Sequence, residues 1–174
     1  MIEGVVISHV VFTVKNSRYD WQKIKLKKQV GFIAPTFPFF ENEEEEFLIM
    51  ILCDIATELG LNIAAFNFCG DHVHAVLMLD KSDISKMMGL WKGKSAYLYN
   101  HQIQTFNKIS QSNNFKFEIQ NLWAKSFYQK LIKSERELEN VIHYVNNNRI
   151  KHGLAPLTSF STKMISALFI SKIE

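Results

Sequence analysis

The segment GDHVHAVLML, residues 70–79, contains two histidines separated by one residue and followed by an apolar run. If residues 72–79 form a β-strand, successive side chains point to opposite faces, so His72 and His74 share one face. Two neutral imidazoles on one face can hold a divalent metal ion. Taken alone, the pattern also fits two ordinary polar positions on a strand. The pair is therefore a candidate metal site whose other components must come from elsewhere in the chain.

The residues around this strand predict a mixed structure of strands and helices. Residues 5–14 and 61–68 have the composition of strands, and the short link at 69–71 indicates that 61–68 and 72–79 pair antiparallel. Apolar spacings of three and four predict helices at about 44–59 and 83–101, and a capping box at Ser134 starts a third. We expect one α+β domain, in which helices pack on the faces of an antiparallel sheet.

Length and composition fit a single globular protein. The chain has 174 residues, of which 47% are hydrophobic, and a net charge of +3 that permits a nucleic-acid partner without requiring one. Cys53 and Cys69 lack the spacing of metal ligands, so we expect buried, reduced thiols. There is no signal-peptide pattern and no run of ~20 apolar residues. We therefore expect a cytoplasmic protein with no membrane partner.

A tyrosine and an asparagine lie on one face of the third predicted helix. Tyr144 and Asn148 are four residues apart, a spacing that places side chains one above the other. A tyrosine oxygen brought near the histidines can attack a polarised phosphorus, and the amide oxygen can approach the same point. The alternative is an ordinary tyrosine at the boundary of the core.

The order of these motifs resembles that of the HUH-type single-tyrosine transposases, of both the insertion-sequence and the REP-associated kinds. The resemblance extends from His9 to Leu154. Besides the histidine strand it includes MGLWKGKSAYLYN at 88–100, LWAKSF at 122–127 and YVNNNRIKHGL at 144–154. The chain departs from the family at Gly70, where a proline is usual, and at 149–150, where the REP-associated branch often has Pro and Val.

The resemblance implies a ferredoxin-like or RRM-like HUH nuclease fold in one domain over residues 1–174. It implies a transposase that nicks and rejoins single-stranded DNA at hairpin-marked sites through a 5′-phosphotyrosine formed by Tyr144. It also implies Mg²⁺ or Mn²⁺ bound by His72, His74 and Asn148. Basic residues that suit contacts with DNA phosphates, unless they only solvate helix faces, are Lys92, Lys94, Lys125, Lys130, Arg149 and Lys151.

Several alternatives stay open. A domesticated endonuclease or a replication-initiation nickase would keep the same active site but would not move a DNA element. An RRM-like nucleic-acid-binding module would need neither the histidines nor Tyr144. Tyr97 and Tyr128 are the other tyrosines considered as nucleophile. We expect a homodimer, although a monomer is possible, with Tyr144 serving its own chain or the partner. Trp91 and Trp123 are expected in the core and not as base-stacking platforms. His9 could face the same cleft as the histidine pair, but we expect a structural role.

Overall fold

The computed structural model describes residues 4–15, 17, 40, 42–109 and 121–170. Their strands β1 (Val5–Thr13), β2 (Ile63–Phe68), β3 (His72–Asp80) and β4 (Tyr128–Ile132) form one antiparallel sheet in the order β2-β3-β1-β4. Their helices are α1 (Asn42–Glu58), α2 (Ile84–Ile109), α3 (Glu135–Asn146), α4 (Asn148–Lys151) and α5 (Ser159–Ile170). The predicted α+β architecture is confirmed. The rest of the expected 1–174 domain, at both ends and at 18–39 and 110–120, lies outside the described residues.

The pairing register decides which side chains share a face of the sheet. His74 lies opposite Asn67 of β2, and the next residue of β3 on the same face, Val76, lies opposite His9 of β1. On the other side of β1, His9 lies opposite Lys130 of β4. Directly opposed residues of antiparallel strands point the same way. His9, Asn67, His74 and Lys130 therefore share one face, which we call the histidine face.

The opposite face of the sheet carries the main hydrophobic core. Phe12 is buried there, with its ring 5.4 Å from that of Trp91 and 4.8 Å from that of Trp123. The Trp91 indole donates a hydrogen bond to the Leu52 carbonyl (2.9 Å) and the Trp123 indole to the Ser95 hydroxyl (2.8 Å). Both tryptophans lie in the core, as predicted. No helix in the described part of the chain has the length and apolar character needed to cross a membrane.

Helix α3 covers part of the histidine face. It begins after Ser134, whose hydroxyl accepts a hydrogen bond from the Glu137 backbone N–H, as the capping box predicts. Its predicted apolar stripe packs on a small cluster that contains Ala65 and Val76 of the sheet. The stripe is formed by Leu138, Val141, Ile142 and Val145. Since Val145 is at its C-terminal end, α3 arrives next to the two histidines of β3.

Lys92 has an internal role that corrects its assignment to DNA contacts. Its side chain is buried, and Nζ donates to the carbonyl oxygens of Ala124 (2.7 Å), Lys125 (3.1 Å) and Ser126 (3.1 Å). Burial lowers the pKa of Lys92. The ammonium group thus satisfies three backbone acceptors in the segment that leads into β4, and it does not offer its charge to a phosphate.

We expect Lys92→Met to lower the free energy of unfolding by about 2–3 kcal/mol, because three backbone carbonyls lose a charged donor that they share. Lys94→Met is the matched control on the same helix. Lys94 pairs with Glu58 at the surface, so its loss should cost about 0–1 kcal/mol. Urea denaturation followed by circular dichroism measures both, and equal losses would contradict the internal role of Lys92.

Candidate active site

His72 and His74 lie at the start of β3, are both buried, and have ring centroids 4.8 Å apart. One nitrogen of each ring is held by a neighbour. His72 Nδ1 lies 2.6 Å from Asp71 Oδ1, and His74 Nδ1 lies 3.0 Å from His9 Nε2. Metal-binding histidines are usually held in this way at the nitrogen that does not bind the metal, which fixes the orientation of the ring. The pair is thus oriented as a metal site requires.

His9 contacts the site directly, although the sequence favoured a structural histidine over one that faces the cleft. Its ring stacks on that of His74, with centroids 5.2 Å apart and planes 14° from parallel. Burial, with the positive charge of Lys130 as a further cause, lowers the pKa of His9. A hydrogen bond between two ring nitrogens requires one of them to be unprotonated. The lowered pKa is consistent with a neutral His9 that orients His74.

Tyr144 approaches the histidines of its own chain. Its ring centroid lies 5.4 Å from that of His74 and 6.0 Å from that of His9, both edge-on. The side chain is 39% exposed, so a large substrate can reach it. Lys151 Nζ lies 5.2 Å from the centroid of the same ring. One chain therefore brings together a tyrosine, two buried histidines and an exposed cation.

Asn67 fixes the end of α3 on the sheet and was missed from the sequence. Its Nδ2 donates to the Val145 carbonyl at 2.7 Å and to the Asn146 carbonyl at 3.4 Å. These are the two residues that follow Tyr144, and Asn67 is paired with His74 in the sheet. The bond sets the distance between the tyrosine helix and the histidine strand. The available signal was a single polar residue in the apolar strand IAAFNF.

Asn148 is fully buried, and neither its Oδ1 nor its Nδ2 has a hydrogen-bond partner. It was expected on the same helix as Tyr144, but α3 ends at Asn146 and Asn148 begins α4. A buried amide without a partner costs about 1–3 kcal/mol. The amide is therefore a group that a bound ligand can satisfy.

Cys69 lies with the histidines, although its spacing in the sequence gave no indication of a metal ligand. Ligand atoms of Cys69, His72 and His74 all lie within 4.8 Å of one another. The Cys69 N–H donates to the His72 carbonyl at 2.8 Å across a turn in which Gly70 has φ +72°, a conformation that favours glycine. The thiol is free and buried, as predicted, and burial raises its pKa to about 12. The two-residue link that pairs Cys69 with His72 was the available signal.

The donor types of these side chains suit a divalent metal ion. His72 and His74 would supply imidazole nitrogens, and the unsatisfied amide of Asn148 would supply an oxygen. The segment after Asn148 lies over the site, since the His152 ring is 5.2 Å from the His72 ring. The candidate donors therefore include both nitrogen and oxygen atoms.

Arg149 is a second basic residue with an internal role, which corrects its assignment to DNA contacts. It forms a buried ion pair with Glu45 of α1. It also donates to the carbonyl oxygens of Phe68 (2.8 Å) and Ala155 (2.9 Å). Arg149 thus joins α4 to the sheet and to α1, which keeps Asn148 in place.

The other four basic residues lie at different parts of the surface. Lys125 and Lys151 are exposed. Lys130 is on the histidine face and pairs with Glu137 at 2.7 Å. Lys94 pairs with Glu58, between the helices of the opposite face. Lys130 and Lys151 are the two that lie beside the histidine site.

The two alternative tyrosines differ in position. Tyr128 is 56% exposed and its ring lies 6.3 Å from that of His9, on the histidine face. Tyr97 is on α2, where its ring stacks on His101 with centroids 6.1 Å apart. Tyr128 therefore flanks the site, whereas Tyr97 is on a helix that packs on the opposite face.

An antiparallel sheet with a tyrosine held beside a histidine pair is the arrangement of the HUH-type single-tyrosine class, which the sequence led us to expect. The family model described as "Transposase IS200 like" matches residues 5–148, a span that contains His72, His74, Tyr144 and Asn148. The chain belongs to the IS200-like transposase family.

The chain is also similar to individual proteins. A protein from Haemophilus influenzae, described as "Putative REP-associated tyrosine transposase", is 26% identical over 85 residues, which are 48% of this chain and 46% of the relative. The chain thus matches about half the length of this curated relative. A solved structure of a REP-associated tyrosine transposase bound to a REP hairpin has a TM-score of 0.52 and 15% identity, covering 88% of this chain and 72% of the other. A crystal structure described as "a putative transposase from deinococcus radiodurans r1" has a TM-score of 0.48 and 22% identity, covering 82% and 90%.

We expect Asn148→Leu to stabilise the metal-free protein by about 1–2 kcal/mol, because an apolar side chain of similar size replaces an amide without partners. Asn67→Leu is the matched control, also a buried asparagine. It should destabilise by about 1–2 kcal/mol, since two carbonyls of α3 lose their donor. Urea denaturation in the presence of EDTA measures both. A loss of stability in Asn148→Leu would mean that its amide is satisfied without a ligand.

Proposed function

We propose that this protein is a metal-dependent transposase that nicks and rejoins single-stranded DNA at hairpin-marked sites, with Tyr144 as its nucleophile. The observation that carries the proposal is the 5.4 Å approach of the Tyr144 ring to the His74 ring within one chain. Membership of the transposase family supports the class of reaction. The similar fold solved with a REP hairpin supports hairpin DNA as the partner.

In the proposed reaction the Tyr144 hydroxyl oxygen attacks the phosphorus of a DNA phosphodiester. The bond from phosphorus to the 3′ oxygen breaks, and that oxygen takes up a proton to become a free 3′-hydroxyl. The 5′ side of the DNA stays joined to Tyr144 as a phosphotyrosine. A 3′-hydroxyl of the same or another DNA end can attack this bond and release the tyrosine. Because each bond broken is replaced by another of the same kind, no external energy source is needed.

The chain's own residues position the reacting groups. His72, His74 and Asn148 would hold Mg²⁺ or Mn²⁺, which when bound supplies polarisation of the scissile phosphate. Asp71 and His9 hold the two imidazoles in orientation. Asn67 holds the end of α3 and therefore the position of Tyr144. A group held in place by packed neighbours loses little entropy when it reacts.

The exposed lysines beside the site suit the DNA backbone. Lys151 lies over the Tyr144 ring, and Lys130 lies on the same face of the sheet as His9. Contacts of this kind attract and position any DNA strand without reading its sequence, and salt weakens them. Lys125 is exposed and is the third candidate for such contacts.

The homodimer expected from the insertion-sequence branch stays a prediction. Tyr144 and the histidine pair meet within one chain, so the proposed site does not need a partner to complete it. A dimer would then contribute to holding two DNA ends together and not to forming each site.

We expect Tyr144→Phe to abolish the covalent protein–DNA adduct while DNA binding stays within a few-fold, because only the nucleophilic oxygen is removed. The adduct is measured on denaturing gels with a single-stranded hairpin oligonucleotide and Mn²⁺. Tyr128→Phe is the matched control and should still form the adduct. If Tyr144→Phe forms it and Tyr128→Phe does not, the nucleophile is Tyr128.

We expect His9→Phe to raise the Mn²⁺ concentration needed for half-maximal adduct formation by about 10–100-fold, the usual effect of removing a partner of a metal-bound histidine. His9→Gln should be closer to the unmodified protein, since an amide oxygen can still accept from His74. If both variants keep the normal Mn²⁺ dependence, His9 is structural and does not orient His74.

A further inference from the structure

Cys69 adds a thiol to the two imidazoles of the candidate metal site. The ligand atoms of Cys69, His72 and His74 lie within 4.8 Å of one another. Ligands of one tetrahedral zinc ion are about 3.3–3.6 Å apart, given bonds of about 2.0–2.3 Å. To bind one ion, the three ligand atoms need to approach one another by about 1 Å. Small rotations of the side chains are enough for this.

The backbone fixes Cys69 on the side of the histidines. The bond from the Cys69 N–H to the His72 carbonyl makes these residues an opposed pair at the end of the hairpin, one step beyond the paired residues Phe68 and Val73. Opposed residues of an antiparallel pair point to the same face. The position of the thiol thus follows from the pairing of β2 and β3, which keeps one register from the turn to Ala65.

The kind of donor atom determines which metal ion binds well. Magnesium strongly prefers oxygen ligands, and manganese suits oxygen better than sulphur, whereas zinc is bound well by imidazole nitrogen and thiolate sulphur together. Asn148 adds one oxygen at most, while Cys69, His72 and His74 add one sulphur and two nitrogens.

We propose that Cys69 is a third protein ligand of the histidine site, which therefore binds zinc-class cations more tightly than Mg²⁺ or Mn²⁺. The proposal rests on the part of the proposed function in which His72 and His74 bind a metal. Binding displaces the proton of the buried thiol. Three protein ligands leave the fourth position of a tetrahedral ion for an oxygen of the DNA phosphate or of Asn148.

Cobalt titration of the full chain tests the proposal, because a Co²⁺–thiolate bond gives an intense near-ultraviolet absorption band that nitrogen and oxygen ligands do not give. We expect this band in the unmodified protein and its displacement by Zn²⁺. Cys69→Ser should lose the band and bind Zn²⁺ about 10-fold more weakly or worse, since even an indirect partner of a metal costs that much. Cys53→Ser is the matched control, because Cys53 is a buried free thiol on α1.

The outcomes separate this proposal from the proposed function. Visible Co²⁺ bands without the near-ultraviolet band in the unmodified protein would overturn the Cys69 ligand and leave the histidine site intact. Unchanged Co²⁺ binding by His72→Ala and His74→Ala would overturn both. A thiolate band that needs Cys69, in a protein that forms no DNA adduct, would support the metal site and contradict the nicking activity.

A measurement that leaves Cys69 in place keeps the test decisive if Cys69→Ser does not fold. Cadmium-113 NMR reports thiolate ligands through a large downfield shift of the cadmium resonance. The chain has two cysteines, and Cys53→Ser leaves Cys69 as the sole thiol. A cadmium resonance in the thiolate range from that variant supports the proposal, and a resonance in the range of nitrogen and oxygen ligands overturns it.

Discussion

The pairing register of β3 with β2 and β1 determines which side chains can meet at the candidate site. It places His74 opposite Asn67 and puts His9 on the same face. A slip of one residue would turn every side chain of β3 to the other face, so both histidines would enter the main core. The apolar residues between and beyond them oppose such a slip, because they are fully buried: Val73, Ala75 and Leu77. The alternation of side chains along β3 therefore places apolar residues in the core and, by the same register, keeps His72 and His74 on the histidine face.

Two buried cations, Lys92 and Arg149, show that a basic residue can stabilise the fold instead of contacting a substrate. A buried charge is costly unless hydrogen bonds satisfy it. Lys92 has three carbonyl acceptors, and Arg149 has the Glu45 carboxylate and two carbonyls. Each cation joins segments that are distant in the sequence, the first near β4 and the second near α4. In the proposed function, the attraction for a DNA backbone then depends on the exposed lysines.

The sequence predicted the features that depend on local periodicity. Alternation along β3 correctly placed His72 and His74 on one face, and the spacing of α3 correctly predicted the apolar stripe that packs on the sheet, of which Val145 is fully buried. The helix break before Asn148 was not predicted, because nothing in the run of asparagines specifies where α3 ends. The roles of Lys92 and Arg149 depend mostly on acceptors far away in the sequence, which no local pattern reveals. Cys69 could have been placed, since a two-residue hairpin link pairs it with His72.

The two buried amides of Asn67 and Asn148 affect stability in opposite ways. Asn67 uses its Nδ2 to hold the end of α3, so it stabilises the fold and positions the tyrosine together. Asn148 has no partner at either side-chain atom, and the structure holds it in place through its neighbours. Arg149, next in the chain, is fixed by three acceptors, which hold the backbone beside Asn148 in place. An amide kept dry and unsatisfied in this way lowers stability, and such a cost is typical of positions maintained for a ligand. Because the fold already bears that cost, a cation bound beside Asn148 would gain an oxygen ligand without having to order it.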